Sequence, residues 1–453
     1  MRTMSPYDHF VSLFETDASP MNIGGLLLFD VPEAEREGFC AHIHAVLADR
    51  VPRSALARRM VGAPDDYDAP AWFEIDRAAA LERIAMPDLP RPLDRERLIG
   101  HVLRRGMEPL CLDAAGFEID IVGPVEGWGC ALYLKMHHSL MDGIGFQSAI
   151  EQIADGGTGL AKVALETAEP VPPREEWLAL ASDRFEREAD ARVAEQLRIA
   201  AATEELGAFL ADPANGRAPT PVLGFGAHTS RERAYCPVSI PLDRVRALGK
   251  RHGGSVNDIF MTLAGSALRA HLQPLGLLPD EPLIGQCVRS IRRPEDGIEG
   301  NRVVTMFPEI ATDEPDPLAR LARIRRNMER EKARSRIEER IVGTLDKPGG
   351  AAERKAALSD LAGKEATIGT SNVVLSNVPG PTEALRFGGY RLTGNYPLPI
   401  IGPGLFLNIT LRRNADNLDL GVMTDAARMS DVDGFVDCLW HALEELEALP
   451  QRD

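Results

Sequence analysis

Residues 135–146 read KMHHSLMDGIGF, which sets two of the chain's ten histidines side by side and an acid and a glycine three residues later. Upstream, CALYLKM (130–136) is apolar and strand-prone, and it runs directly into His137 and His138. Downstream, Phe146, Ile150 and Ile153 fall at i, i+4 and i+7, the spacing of a buried helix face. The histidines therefore belong to a loop between a strand and a helix, where side chains are held rigidly yet stay reachable.

An imidazole, with an ordinary pKa of about 6.5, can take a proton from an alcohol or thiol near neutrality. It does so only if its ring is held in place. Asp142 can orient a histidine directly or pair with a distant cation and fix the loop, and Gly143 permits a turn that a side chain would block. Paired histidines also serve as metal ligands, but no second His/Cys/carboxylate cluster at ligand spacing accompanies these. A buried, hydrogen-bonded core histidine is the other alternative. The combination of two histidines, an acid and a glycine is far more specific than any one of them.

At 453 residues the chain exceeds a single ordinary core, so two domains are expected. With 44% hydrophobic and 26% charged residues it reads as globular rather than disordered. The net charge of −17, with no offsetting Lys/Arg cluster, argues against nucleic acid, which needs concentrated positive charge. No apolar run approaches the ~20 residues of a membrane span, and the N-terminus lacks the apolar core of a secretory signal. Six scattered cysteines without a C-x-x-C pair suggest reduced thiols in the cytoplasm. Peripheral attachment to a membrane face or a lipid droplet stays open.

MNIGGLLLFDVP reads as a strand, REGFCAHIHAVLADRV as a helix, and FEIDIVGPVEGWGCALYLKM as two strands about a Gly/Pro-rich turn. We assign 1–165 to a first domain carrying HHSLMDG. An Ala/Glu/Arg/Leu-rich helical connector follows over 166–215, and a second domain over 216–453. A charged helical stretch over 315–367, broken by DKPGGAAERK, reads as a solvated face.

HHxxxDG resembles the signature of the CoA-dependent acyltransferase superfamily. That superfamily includes carrier-protein condensation domains as well as free-standing acyltransferases. Other segments are similar to the bacterial wax ester synthase/diacylglycerol acyltransferases, from end to end and in order: SPYDHFVSLFETDASPMNIGGLLLFD, GGSVNDIFMTLAGSALRAHL, GNRVVTMFPEIATDEPDPLARL, SNVVLSNVPGP and LFLNITLRRNADNLDLGVMTD. The resemblance implies an α/β fold of the chloramphenicol-acetyltransferase type: two domains, mixed sheets flanked by helices, and an active site at the domain interface. It also implies that His138 takes the proton of an acceptor hydroxyl, which attacks an acyl-CoA thioester without an acyl-enzyme. Asp142 would be salt-bridged to Arg292 in QCVRSIR, and His137 would complete the catalytic motif in a structural role. Gly300, Asn301, Ser376, Asn377, Pro379 and Gly380 would face the substrates, with donor and acceptor entering from opposite mouths. No cofactor or metal is implied; acyl-CoA is a substrate and its partner is a lipid bearing a hydroxyl.

In SVND, Ser255 and Asp258 have the spacing of a helix-capping box, while Asn257 stands where an amide could donate to a developing oxyanion. Both readings stay open. Three departures from the family pattern bear on the substrate. Where the family has Pro-Leu-Trp this chain has Ala115, Gly116 and Phe117, a loss of indole that would leave room beside the channel. Val288, Arg289 and Ser290 replace Pro-Val-Ser, and 315–367 is charged where the family is often apolar, which suggests a shorter or more polar acceptor. Two other readings compete: an enzyme taking its acyl group from a carrier protein, and a non-catalytic lipid-binding relative.

Overall fold

The computed structural model describes residues 1–64, 69–90, 93–187, 189–216, 218–224, 229–342 and 371–450. Two six-stranded mixed sheets, each flanked by helices, dominate it. The first runs, edge to edge, Arg386–Phe387, Tyr390–Leu398, Asn22–Asp30, Gly129–His137, Phe117–Val125 and Ile84–Ala85. Both faces of its central strands are covered, which explains the unbroken apolar run in NIGGLLLFD. Phe39, Ile43 and Leu47 of helix Arg36–Arg50 are fully buried against one face.

The second sheet runs Val303–Met306, Gly285–Ser290, Val373–Val378, Leu407–Asn414, Asn417–Asp425 and Arg233–Pro241. Helix Val256–Leu272 is buried around most of its circumference, between helices Val432–Ala448 and Pro317–Val342.

The expectation of a continuous second domain over 216–453 misses a crossover. After Val378 the chain leaves the second sheet, adds Arg386–Phe387 and Tyr390–Leu398 to the first, and returns at Leu407. Tyr390–Leu398 pairs antiparallel with Asn22–Asp30, with Leu398 opposite Gly24 and Arg391 opposite Asp30. Local pattern marks a strand; it does not say which sheet receives it.

The connector forms helices Arg174–Arg187 and Ala189–Ala211. Trp177 anchors it, fully buried with its ring 5.7 Å from that of Phe73 in a small three-stranded sheet. The connector's second helix lies along Pro317–Val342. That charged helix is not simply solvated: Leu321, Ile324 and Met328 are buried, and so are Arg320 and Glu331. Glu331 accepts the Phe307 N–H at 2.7 Å, which satisfies its burial. DKPGGAAERK lies outside the described residues.

Candidate active site

The loop after strand Gly129–His137 is fixed by its backbone. His137 N–H donates to the Gly116 carbonyl at 3.0 Å, and His138 N–H to the Met21 carbonyl at 2.8 Å. Both acceptors come from segments leading into neighbouring strands, so the sheet itself sets the position of the histidines. The His137 ring is fully buried; its Nδ1 lies 2.6 Å from Ser139 Oγ and its Nε2 3.7 Å from a Glu15 carboxylate oxygen. Burial raises the Glu15 carboxyl, but the His137 contact and the Met21 N–H outweigh it and hold the group below its usual range.

His138 is half-buried, with Nδ1 enclosed and lacking a well-formed hydrogen bond. Burial lowers its pKa from 6.5, against opposing contributions from its own backbone, Asp142 and Asn301. The ring is therefore biased toward the neutral, proton-accepting form.

Asp142 caps helix Gly143–Ile153, accepting the Gly145 N–H at 2.9 Å. Its other oxygen accepts from Arg292 Nη2 at 2.8 Å and from the Arg302 N–H at 3.0 Å. With every contact directed into the fold, the carboxylate positions the loop across the domain interface and does not itself touch the His138 ring nitrogens by any hydrogen bond among the described residues. Arg292 also donates to the Gly297 and Gly300 carbonyls, at 2.7 and 2.6 Å.

Gly300 and Asn301, which the family resemblance puts against substrate, make contacts with the histidine loop. Gly300, at φ +72°, donates its N–H to the Leu140 carbonyl at 2.8 Å and bridges Met141. Asn301, 4% exposed, donates from Nδ2 to the His138 carbonyl at 2.8 Å and to Asp8 Oδ1 at 2.7 Å. Together they strap the histidine loop to the second sheet and to helix Pro6–Leu13. Asp8 is not among the residues the sequence reading singles out, although Ser5-x-x-Asp8 has capping-box spacing that could have flagged it.

Ser255 and Asp258 do form a capping box, with the Asp258 N–H donating to Ser255 Oγ at 3.2 Å and the Ser255 N–H to Asp258 Oδ2 at 2.8 Å. Asn257 Oδ1 accepts from Asn377 Nδ2 at 3.3 Å. Val378 approaches the start of the histidine-loop helix: a Cβ on Gly143 would lie 3.0 Å from its side chain. Asn257, Asn377 and Gly143 are thus joined through one strand end. Ser376 is half-buried opposite Thr410, Pro379 is exposed, and Gly380 is forced by close packing, since a Cβ there would sit 2.0 Å from the Arg413 carbonyl.

Next to the position of the lost indole, Gly116 packs against a different one. Trp72 is 1% exposed, and a Cβ on Gly116 would lie 3.0 Å from its ring. Arg289, in the altered Val-Arg-Ser run, donates to Ser335 Oγ at 2.9 Å and to Glu339 at 2.7 Å, tying its strand to the charged helix. Among the described residues no group of three or more His, Cys, Asp or Glu side chains is arranged to hold a metal ion.

The profile of the wax ester synthase/diacylglycerol acyltransferase catalytic domain matches residues 4–260, and that of the WS/DGAT C-terminal domain matches 299–447. A putative diacylglycerol O-acyltransferase of Mycobacterium tuberculosis is 29% identical over 98% of this chain and 99% of its own. The O-acyltransferase WSD of Acinetobacter baylyi is 26% identical over 93% of this chain and 92% of its own. In three dimensions the chain is similar to a wax ester synthase/diacylglycerol acyltransferase from Marinobacter aquaeolei VT8, with a TM-score of 0.67, 23% identity and 98% of each chain covered. It is also similar to the first condensation domain of the CDA synthetase, with a TM-score of 0.60, 17% identity, and 100% and 97% coverage. At these identities the two solved structures speak to the fold alone.

Proposed function

The chain belongs to the wax ester synthase/diacylglycerol acyltransferase family of O-acyltransferases, and from that premise we propose that it esterifies a long-chain alcohol or diacylglycerol with the fatty acyl group of acyl-CoA, using His138 as general base. Neutral His138 takes the proton of the acceptor hydroxyl as its oxygen attacks the thioester carbonyl. The tetrahedral oxyanion collapses and the carbon–sulfur bond breaks; the proton passes from the imidazolium to the departing CoA thiolate, and the ester remains. No acyl-enzyme forms. Asn257 fits the oxyanion donor, because among the described residues nothing accepts from its Nδ2 while Asn377 holds its Oδ1.

The observation that carries this reading is the pairing of a rigid backbone with a ring that burial biases toward its neutral form. His138 is fastened at its N–H by Met21 and at its carbonyl by Asn301, and burial lowers the pKa of the imidazole. The test is CoA-thiol release from palmitoyl-CoA with a panel of alcohols and diacylglycerol. His138→Ala should lower the rate by ~10²–10⁴-fold. If the wild type releases thiol with no acceptor but transfers from an acylated carrier protein, the carrier reading replaces this one. Binding without turnover on either donor would leave a lipid-binding relative.

A cytoplasmic location with peripheral lipid contact belongs to the same reading. No described helix is long and apolar enough to cross a membrane, but Val193 and Leu197, one turn apart on helix Ala189–Ala211, are 61% and 69% exposed. Val193→Glu with Leu197→Glu should release the protein from vesicles containing diacylglycerol. Retention on the vesicles would remove this helix from the lipid-contact reading.

A further inference from the structure

The small three-stranded sheet has two faces with separate partners. Its strands are Arg2–Thr3, Ala71–Glu74 and Arg58–Val61, with Arg2 opposite Trp72 and Arg58 opposite Glu74. Side chains alternate along a strand, so Arg2, Trp72, Glu74 and Arg58 share one face, and Thr3 and Phe73 belong to the other. The connector takes the second face: Trp177 packs on Phe73, and Arg184 from the same helix donates to Thr3 Oγ1 at 2.7 Å. The first face meets the histidine loop. Trp72 lies against Gly116, whose carbonyl accepts the His137 N–H.

Glu299, from the second half of the chain, joins the two arginines of that face. One of its carboxylate oxygens accepts from Arg58, with Nε at 3.1 Å and Nη2 at 3.0 Å, while Arg58 Nη1 is held by Glu74 at 2.8 Å. The other oxygen lies 3.1 Å from Arg2 Nε, an ion pair that is not aligned as a hydrogen bond. Asp8, 4.0 Å from Arg2 Nη1, stands at the edge of pairing distance. Arg2 Nη2 donates to the Leu140 carbonyl at 3.2 Å, in the middle of HHSLMDG. The Gly300 N–H already donates to that oxygen, so both its lone pairs are engaged. Leu140 in turn donates its N–H to the His137 carbonyl at 3.0 Å. Arg58, Glu299, Arg2, Leu140 and His137 thus form an unbroken series of contacts, a second tie across the two halves beside Asp142–Arg292.

We propose that Arg2 and Glu299 are a positioning pair for the reaction, which sets Leu140 and with it the approach of His138 to the acceptor hydroxyl. This rests on the acyl-transfer reading above and gives the small sheet a role in it: the connector braces the sheet, and the sheet braces the loop. The two side chains are 30% and 21% exposed, so the pair adds little to global stability. Its effect falls on geometry, where a displacement of about 1 Å costs on the order of a hundredfold in rate.

Arg2→Met and Glu299→Gln should each lower kcat for palmitoyl-CoA roughly tenfold with the acceptor that the wild type uses. KM and Tm should change little, because a misplaced base slows the step without altering binding or the core. The double variant should lose no more than either single one, since both break the same tie. Arg2→Lys should recover part of the loss by keeping a cation beside Glu299. Arg59→Met removes a charge from the opposite face of the sheet, where Arg59 stands across from Phe73, and should leave kcat unchanged. The turnover-free readout is NMR titration of the His138 imidazole in protein with ring-labelled histidine, assigned from His138→Ala. His137 and Asp142, the titratable groups that act on that ring, stay in place in these variants. The His138 pKa should rise toward 6.5 in Arg2→Met, as the loosened ring gains water, and return in Arg2→Lys. Unchanged kcat and titration in both single variants, multiplied losses in the double one, an equal loss in Arg59→Met, or a fall in kcat that only follows a fall in Tm would overturn the proposal. If the titration moves as expected but no acceptor is acylated, the pair holds the histidine and the acyl-transfer reading fails. If the wild type turns over and the variants match it, the acyl-transfer reading stands and the proposal fails.

Discussion

His138 owes its position to main-chain bonds and its readiness to burial, and these two causes separate experimentally. In its proposed role of general base it works only when neutral, so activity is expected to be lost as pH falls through the folded pKa. Because burial lowers that pKa from 6.5, the acidic limb of kcat/KM should lie below pH 6.5. A limb at or above the ordinary value would show that the ring is solvated. The same shift affects stability with a definite sign. Between pH 6.5 and the lower folded value the unfolded chain takes up the proton and the folded chain does not, so stability falls as pH drops through that window. Arg292 acts differently. It is one of the groups that compensate Asp142, which is 2% exposed. Arg292→Ala should cost about 3–5 kcal/mol in a denaturant titration, because it leaves a buried carboxylate short of its cation. A loss of only a few tenths would mean that the Gly145 and Arg302 N–H groups suffice.

At the scale of elements, helix Gly143–Ile153 meets its neighbours so closely that two positions of its first turn, Gly143 and Gly145, have little room for a side chain. A Cβ on Gly145 would lie 2.1 Å from the Ile298 carbonyl, part of the segment that strap residues Gly300 and Asn301 continue. Gly145→Ala should therefore destabilise by about 1–3 kcal/mol and also depress turnover, since the displaced segment holds the His138 carbonyl. Normal activity in a destabilised variant would uncouple the strap from catalysis. This element is readable from the sequence: Phe146, Ile150 and Ile153 announce its buried face, and Asp142 caps it. The strap is not. Gly300 and Asn301 lie far along the chain from the histidines, and no local pattern tells whether an asparagine reaches for a ligand or for a carbonyl of its own fold. Trp72 carries the same lesson. The indole missing at Phe117 suggests space, yet the neighbouring Gly116 packs against a tryptophan forty-odd residues earlier in the chain.

On the scale of the molecule, the two sheets are joined by the crossover strand and by a buried polar chain beneath it. Arg412, 2% exposed, donates to Asn395 Oδ1 at 2.8 Å, and Asn395 Nδ2 donates to Gln147 at 3.1 Å in the histidine-loop helix. The Asn395 N–H donates to buried Asp419 at 2.7 Å. Burial lowers the Arg412 guanidinium to about 10 and raises the Asp419 carboxyl, as expected for charges removed from water. Above this chain the strands approach so closely that a Cβ on Gly421 would meet the Pro397 carbonyl at 1.7 Å. Gly421→Ala should cost at least about 1–3 kcal/mol and lower the Tm of the whole chain in one step, because the clash wedges both sheets apart. Two separated transitions would instead mean that the halves unfold independently.

The sequence by itself determined the strand–loop–helix around His138, the helical connector and the family, because periodicity, turn residues and short ordered segments are local properties. It also paired Asp142 with Arg292, through the resemblance alone, and the structure brings those two within 2.8 Å. Only the tertiary structure decided that Tyr390–Leu398 belongs to the first sheet and that Asn301 and Asp8 hold the loop. Each of those outcomes is a contact between residues remote in the chain. Such contacts are selected by the packing of whole sheets, by backbone groups needing partners and by charges needing compensation, none of which a local stretch of residues records.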